Sequence, residues 1–135
     1  MFYASADITA SPVADQLFEH FWRMDENWVE EPNVRRRGTS GVIRTDLNGS
    51  VIYVKKQLNH LHYNLRHPLG RPTALREFEA IKAVRKLGIT APDIVCCVSR
   101  RIGHTCRTVL VTRELVGYRP FADFAADLTA EADQV

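Results

Sequence analysis

Two lysines stand side by side near the end of Ser50-Val-Ile-Tyr-Val-Lys-Lys-Gln57, a run rich in β-branched residues. A lysine aimed inward from a strand is a compact cation that can bridge two phosphates. Upstream, Gly38-Thr-Ser-Gly41 reads as a turn between strands, where the missing Cβ atoms let backbone N–H groups approach phosphate oxygens. Downstream, Glu77 falls on a predicted helix, where its carboxylate could hold the lysine in place. Glycine turn, strand lysine and helix acid, in that order, are groups that a nucleotide phosphate needs. Each alone has a plainer reading. A Gly-x-x-Gly is common, a lysine ending a strand commonly faces solvent, and an acid in a first helical turn complements the dipole.

A second cluster lies in residues 58–71, rich in His and Arg and broken by Pro68 and Gly70. His60, His62, Arg66, His67 and Arg71 are candidates to contact a phosphorylated sugar or acidic lipid headgroups; the alternative is a solvated loop. No cysteine or carboxylate lies nearby in sequence to complete a zinc site with these histidines. Cys96, Cys97 and Cys106 form no Cys-x-x-Cys pair and read as buried reduced thiols, the first two on opposite faces of a strand.

The elements that must position these groups follow from spacing. Ser11-Pro12 predicts a helix start, and Val13, Leu17, Phe21 and Met24 recur at helical spacing over 12–24. A strand begins at Trp28 and is expected to stop at Pro32. Asn48-Gly49 between Gly41–Leu47 and Ser50–Gln57 predicts a two-residue hairpin. Pro72-Thr73 opens a helix with an apolar face of Leu75, Phe78, Ile81, Val84 and Leu87, closed by Gly88. Strands over Asp93–Ser99 and Thr108–Leu115, with Gly103 near their tip, predict a second hairpin. A short helix over 121–127 and a cap at Thr129 complete the chain. The result is an α+β arrangement, a five-stranded antiparallel sheet with one packed helix, an N-terminal helix before it and a helical tail after it.

With 135 residues the chain has room for one modest core. It carries no apolar run of the roughly 20 residues needed to cross a bilayer and no secretory signal pattern, so a cytoplasmic location is expected. The net charge of +2 conceals an asymmetry: residues 35–113 hold sixteen Lys and Arg against four acids, a balance of +12. A centre this basic suggests an anionic partner.

The order of elements resembles the N-terminal lobe of the protein-kinase-like fold, and the motifs resemble the lipopolysaccharide kinase (Kdo/WaaP, InaA-like) family. The residues that carry this are Trp28-Val-Glu-Glu-Pro32, Arg37-Gly-Thr-Ser-Gly-Val42, Tyr53-Val-Lys-Lys-Gln57 and Asn59-His60. They continue with Leu65-Arg-His-Pro-Leu-Gly-Arg-Pro-Thr73, Leu75-Arg-Glu-Phe78, Leu87-Gly-Ile-Thr-Ala-Pro92 and Leu110-Val-Thr-Arg-Glu-Leu-Val-Gly-Tyr-Arg-Pro120. The resemblance implies a helical extension over 1–27, a small lobe over 28–117 and the start of a second lobe over 118–135. It implies that Gly38, Thr39, Ser40 and Gly41 cover the ATP phosphates, that Lys55 contacts them, and that Glu77 pairs with Lys55. The backbone of Glu114 and Val116 would hydrogen-bond adenine. It further implies ATP with Mg2+ as cofactors and a sugar of the lipopolysaccharide core as acceptor, at the cytoplasmic side of the inner membrane.

Two departures accompany the resemblance. Tyr53 stands where kinases keep a small residue; Lys56 as the phosphate lysine would instead turn Ile52 and Val54 inward, so Lys56 is the second choice after Lys55. No His-x-Asp or Asp-Phe-Gly follows Pro120, and Asp123-Phe-Ala is not that motif. The expectation is a truncated clamp without a catalytic centre, inactive alone, with an exposed cleft face open to self-association. The alternative is a non-catalytic anion- or nucleic-acid-binding module. A Gly-x-x-Gly also occurs in KH domains, but there it lies between helices and here it is read between strands.

Overall fold

Strand-forming runs outweigh helical ones in this chain, and a computed structural model describes residues 2–4, 11–35 and 37–117. Strands β2 (Trp28–Arg35), β3 (Gly38–Leu47) and β4 (Ser50–Leu58) form a meander. Asn48 and Gly49 take φ of 52° and 83°, the two positive values that a tight hairpin turn requires. The Gly49 N–H donates to the Asp46 carboxylate at 2.9 Å. Helix α2 (Thr73–Lys86) follows, and then β7 (Ile94–Ile102) and β8 (Thr105–Arg113) return as the second hairpin. At the end of α2 the Gly88 N–H reaches Arg85 O and the Ile89 N–H reaches Val84 O. Gly88, at φ 75°, is therefore the left-handed closing residue.

Helix α1 (Ser11–Arg23) and a short strand β1 (Phe2–Ala4) precede the meander, and the sheet order is β1-β7-β8-β4-β3-β2. The five expected antiparallel strands are all present. The difference is a sixth at the edge, because the N-terminal segment supplies a strand paired with Cys96–Val98 as well as a helix.

Both faces of the sheet are covered, each by its own helix. On the outer face Phe18 and Phe21 of α1 pack on Ile43, Ile52, Val54, Val95, Cys96, Val98, Val109 and Val111. On the inner face Ala74, Leu75 and Phe78 of α2 pack on Cys97 and Leu110. The outer cluster is the larger, so α1 is an integral layer. Cys96 and Cys97 belong to opposite clusters, as strand alternation requires, and burial pushes each thiol up to about 12. The apolar face of α2 is covered only at its start. Ile81 and Val84 are half-buried and Leu87 is 76% exposed.

Three local readings are corrected. Gly38–Gly41 is not a turn but the start of β3, with Gly41 opposite Lys56 and Ser40 opposite Gln57. A Cβ at Gly38 would fall 2.3 Å from the backbone of Leu58 and Asn59, and one at Gly41 would meet the Trp28 ring at 2.7 Å. The glycines therefore permit close approach within the sheet, and the turn itself falls to Arg37, at φ 63°. Pro32 does not stop β2, which runs to Arg35 with register shifts on either side of Glu30. An edge strand with irregular pairing tolerates a proline because no ladder N–H is demanded there. Residues 58–71 are not an open connection: β5 (Leu61–His62) pairs with β6 (Arg71–Pro72). The expected helix over 121–127 and the cap at Thr129 lie outside the described residues.

Candidate functional site

Strand alternation divides β4 between the two faces. Ile52, Val54 and Lys56 point outward; Val51, Tyr53, Lys55 and Gln57 point inward. Lys55 Nζ forms an ion pair with Glu77 Oε2 on the first turns of α2. Both groups are partly exposed, so the pair is accessible from the inner side.

Lys56 has a different environment. Its Nζ donates to Met24 O at 2.6 Å and lies 5.3 Å and 5.2 Å from the ring centres of Trp22 and Trp28. Burial holds this ammonium below the usual lysine range, against the pull of Asp25. The geometry thus separates the two candidates: Lys55 faces the helix acid, and Lys56 anchors the α1–β2 connection.

Sequence reasoning missed the network that sets α2 in place. Gln57 is only 4% exposed. Its Oε1 accepts from the Ala74 N–H at 2.9 Å and from Thr73 Oγ1 at 3.1 Å. Its Nε2 lies 3.2 Å from Ser40 Oγ. The N-terminus of α2 has no side-chain cap from its own Pro72, so a strand residue two places beyond Lys55 satisfies it instead. His60 Nδ1 lies 2.6 Å from Thr73 Oγ1 and joins the same cluster. The available signal was the alternation itself, which places Gln57 on the inward side with Lys55.

At the other end of β4, Tyr53 OH donates to Glu114 Oε1 at 3.1 Å and Arg44 Nη2 lies 3.3 Å from the same oxygen. Tyr53 first, and then Glu114, raise the Arg44 guanidinium above its usual range. The Glu114 N–H donates to Val51 O at 2.9 Å. Val116 is exposed.

The five His and Arg residues of 58–71 do not form one group. His60 turns inward to Thr73. Arg71 pairs with Glu79, which holds that carboxyl below the usual range. Arg66 is exposed, and His62 and His67 meet edge to face with centres 6.4 Å apart. Burial first, and then Arg76, hold His62 below the usual imidazole range. Among the described residues no group of three His, Cys, Asp or Glu could hold a metal ion, and no helix is long and apolar enough to cross a membrane.

The lipopolysaccharide kinase (Kdo/WaaP) family model matches residues 19–135. The chain is similar to Protein InaA of Escherichia coli (strain K12), with 41% identity over 109 residues, covering 81% of this chain and 50% of that protein. Among solved structures it is similar to WaaP in complex with acyl carrier protein, at a TM-score of 0.57 and 19% identity. That match covers 94% of this chain and 46% of the other, and shows a shared fold. The chain spans about half the length of the curated relative it matches.

Proposed function

The chain belongs to the lipopolysaccharide kinase (Kdo/WaaP) family, and on that premise we propose that it is the nucleotide-holding lobe of an ATP-dependent phosphotransferase. The observation that carries this is the Lys55–Glu77 pair, a strand cation held by a helix carboxylate on one face of the sheet. In this reading Lys55 contacts the α and β phosphates of ATP and Glu77 fixes it in place. The strand end Gly38, Thr39, Ser40 and Gly41, with the adjoining turn, covers the phosphates. Adenine is read at the backbone of Glu114 and Val116. Since the Glu114 N–H is committed to Val51, its carbonyl would be the acceptor. Tyr53, tied to Glu114, would form the roof.

The described residues fit a nucleotide better than they fit a metal. Any Mg2+ would arrive with the phosphates, and no step through it is assigned to these side chains. Without an aspartate base among the inward groups, the lobe would bind without turning over. The acceptor in this reading is a sugar of the lipopolysaccharide core, met by Arg66 and His67 at the inner-membrane surface. Self-association would cover the exposed Leu87, Ile89 and Val116. A nucleic-acid reading is disfavoured, because Arg44, Lys55, Arg71, Arg85 and Arg100 of the basic centre each have a carboxylate partner.

Calorimetric titration with ATP and Mg2+ tests the reading. Binding should weaken at least about tenfold in Lys55→Met, the effect of losing one charge-assisted contact, and persist in Lys56→Met. Equal losses in both variants, or salt-sensitive RNA binding with no nucleotide binding, would overturn it.

A further inference from the structure

Arg100 on β7 and Arg107 on β8 are cross-strand partners. Like charges directly opposite each other on an antiparallel pair repel, so other contacts must offset the arrangement. Each guanidinium lies over a ring of α1, Arg100 4.8 Å from the centre of Phe18 and Arg107 5.3 Å from that of Trp22. The two rings are themselves stacked, with centres 5.6 Å apart and planes 8° from parallel. Arg100 also meets Asp15 through Nη2. Its Nε, however, is buried without a hydrogen-bond partner among the described residues. Arg107 has no carboxylate partner among the described ion pairs.

Both arginines line a groove of about 250 Å³ on the outer face, together with Phe18, Glu19, Ile102 and Thr105. The one acid of that lining, Glu19, lies 3.6 Å from Arg23 one helical turn on, so its charge is already shared. Ile102 is 81% exposed and forms an uncovered apolar wall. The groove thus joins an unmatched cation, a second guanidinium, a hydroxyl and an apolar side. It opens on the opposite face of the sheet from Lys55.

We propose that this groove binds a phosphate monoester carried on an apolar body. The phosphate oxygens would meet the Arg107 guanidinium and the outer edge of the Arg100 guanidinium, with Thr105 Oγ1 donating a further bond. The apolar part would lie along Ile102. Such a ligand could be a soluble alkyl phosphate or the headgroup of a phosphatidic-acid-like lipid, which share this chemistry. Stacking on rigid rings fixes the two guanidiniums before the anion arrives, which lowers the cost of ordering them.

Butyl phosphate titrated into the isotope-labelled protein should shift the backbone amides of Thr105 and Arg107 saturably at millimolar concentration. Inorganic phosphate should bind more weakly, since it leaves the Ile102 wall bare. Arg107→Gln, an exposed substitution, should weaken butyl phosphate binding about ten- to a hundredfold, and Thr105→Val should weaken it several-fold. Lys86→Gln, an exposed cation on α2, should leave it unchanged. Vesicle co-sedimentation assigns the source: retention on phosphatidic acid vesicles that is lost in Arg107→Gln indicates a lipid, whereas soluble binding alone indicates a free ester. The proposal fails if the amides do not move, or if Lys86→Gln weakens binding as much as Arg107→Gln does. Lys55→Met should leave every one of these readouts intact, which separates this site from the nucleotide site.

Discussion

On the outer face of β4 an ammonium is held by two indoles and a carbonyl; on the inner face, one residue earlier, an ammonium is held by a carboxylate. The outer partners of Lys56 are neutral and fixed in place, and no incoming anion can replace them without breaking the packing of α1. The inner partner of Lys55 is a half-exposed acid. An ion pair at such a place adds little to stability, so it can be rearranged for a ligand at little cost. The contrast extends along both faces. The outer one is a broad aliphatic and aromatic core beneath cations stacked on rings. The inner one is a smaller core whose margin is polar, with Gln57, Thr73, His60 and Tyr53 all bonded to one another or to Glu114. The larger apolar core lies on one side of the sheet and the polar network around Lys55 and Gln57 on the other.

If that division holds, the largest loss should come from the outer core. Phe21→Ala, at a fully buried position, should cost about 3–5 kcal/mol, measured by urea denaturation. A loss no larger than that of an inner-face substitution would erase the contrast. Next should come Gln57→Ala, at about 1–3 kcal/mol, because the Ala74 N–H and Thr73 hydroxyl lose a buried partner. Amide exchange at Ala74 should accelerate with it, which ordinary cavity formation elsewhere would not cause.

Lys56→Met should change how stability depends on pH. Burial lowers the folded-state pKa of Lys56, so between that value and the usual 10.5 the unfolded chain binds the proton more tightly. Stability should therefore rise with pH through this window in the native protein, and rise less in the methionine variant. Difference curves from thermal melts at several alkaline pH values provide the measurement. The smallest effect on stability should be that of Lys55→Met, at most about 1 kcal/mol, although on the proposed reading the same change weakens nucleotide binding at least about tenfold. A Lys55→Met protein as unstable as Phe21→Ala would mean that the inner pair is structural.

The parts of this division that depend on local pattern were legible in the sequence. Asn48-Gly49 predicts the hairpin, Gly88 the helix end, and period-two alternation the separation of Cys96 from Cys97. The order of lysine and glutamate motifs pointed to the pair that the inner face brings together. What depends on packing at a distance was not legible. Nothing near Gly38 or Gly41 in sequence announces that Asn59 and Trp28 will press against them, so a strand was read as a turn. Pro32 is forbidden in a regular ladder but acceptable at an irregular edge, and whether a strand lies at an edge is a property of the whole sheet. The choice between Lys55 and Lys56 stayed open for the same reason, since it depended on which helix lies on which side. Gln57 was overlooked because its partner is a helix terminus that begins sixteen residues further on, at Thr73.

Successive places in β4 have unlike duties, and the two-residue turn at Asn48-Gly49 therefore acts as a counter. Inserting or deleting a single residue between that turn and Lys55 would exchange odd places for even ones. The amine now wedged between indoles would swing toward the acid, and the amine now paired with Glu77 would be driven among rings. The positive φ values of the turn restrict it to residues such as asparagine and glycine, and the strand that follows should tolerate no change of length.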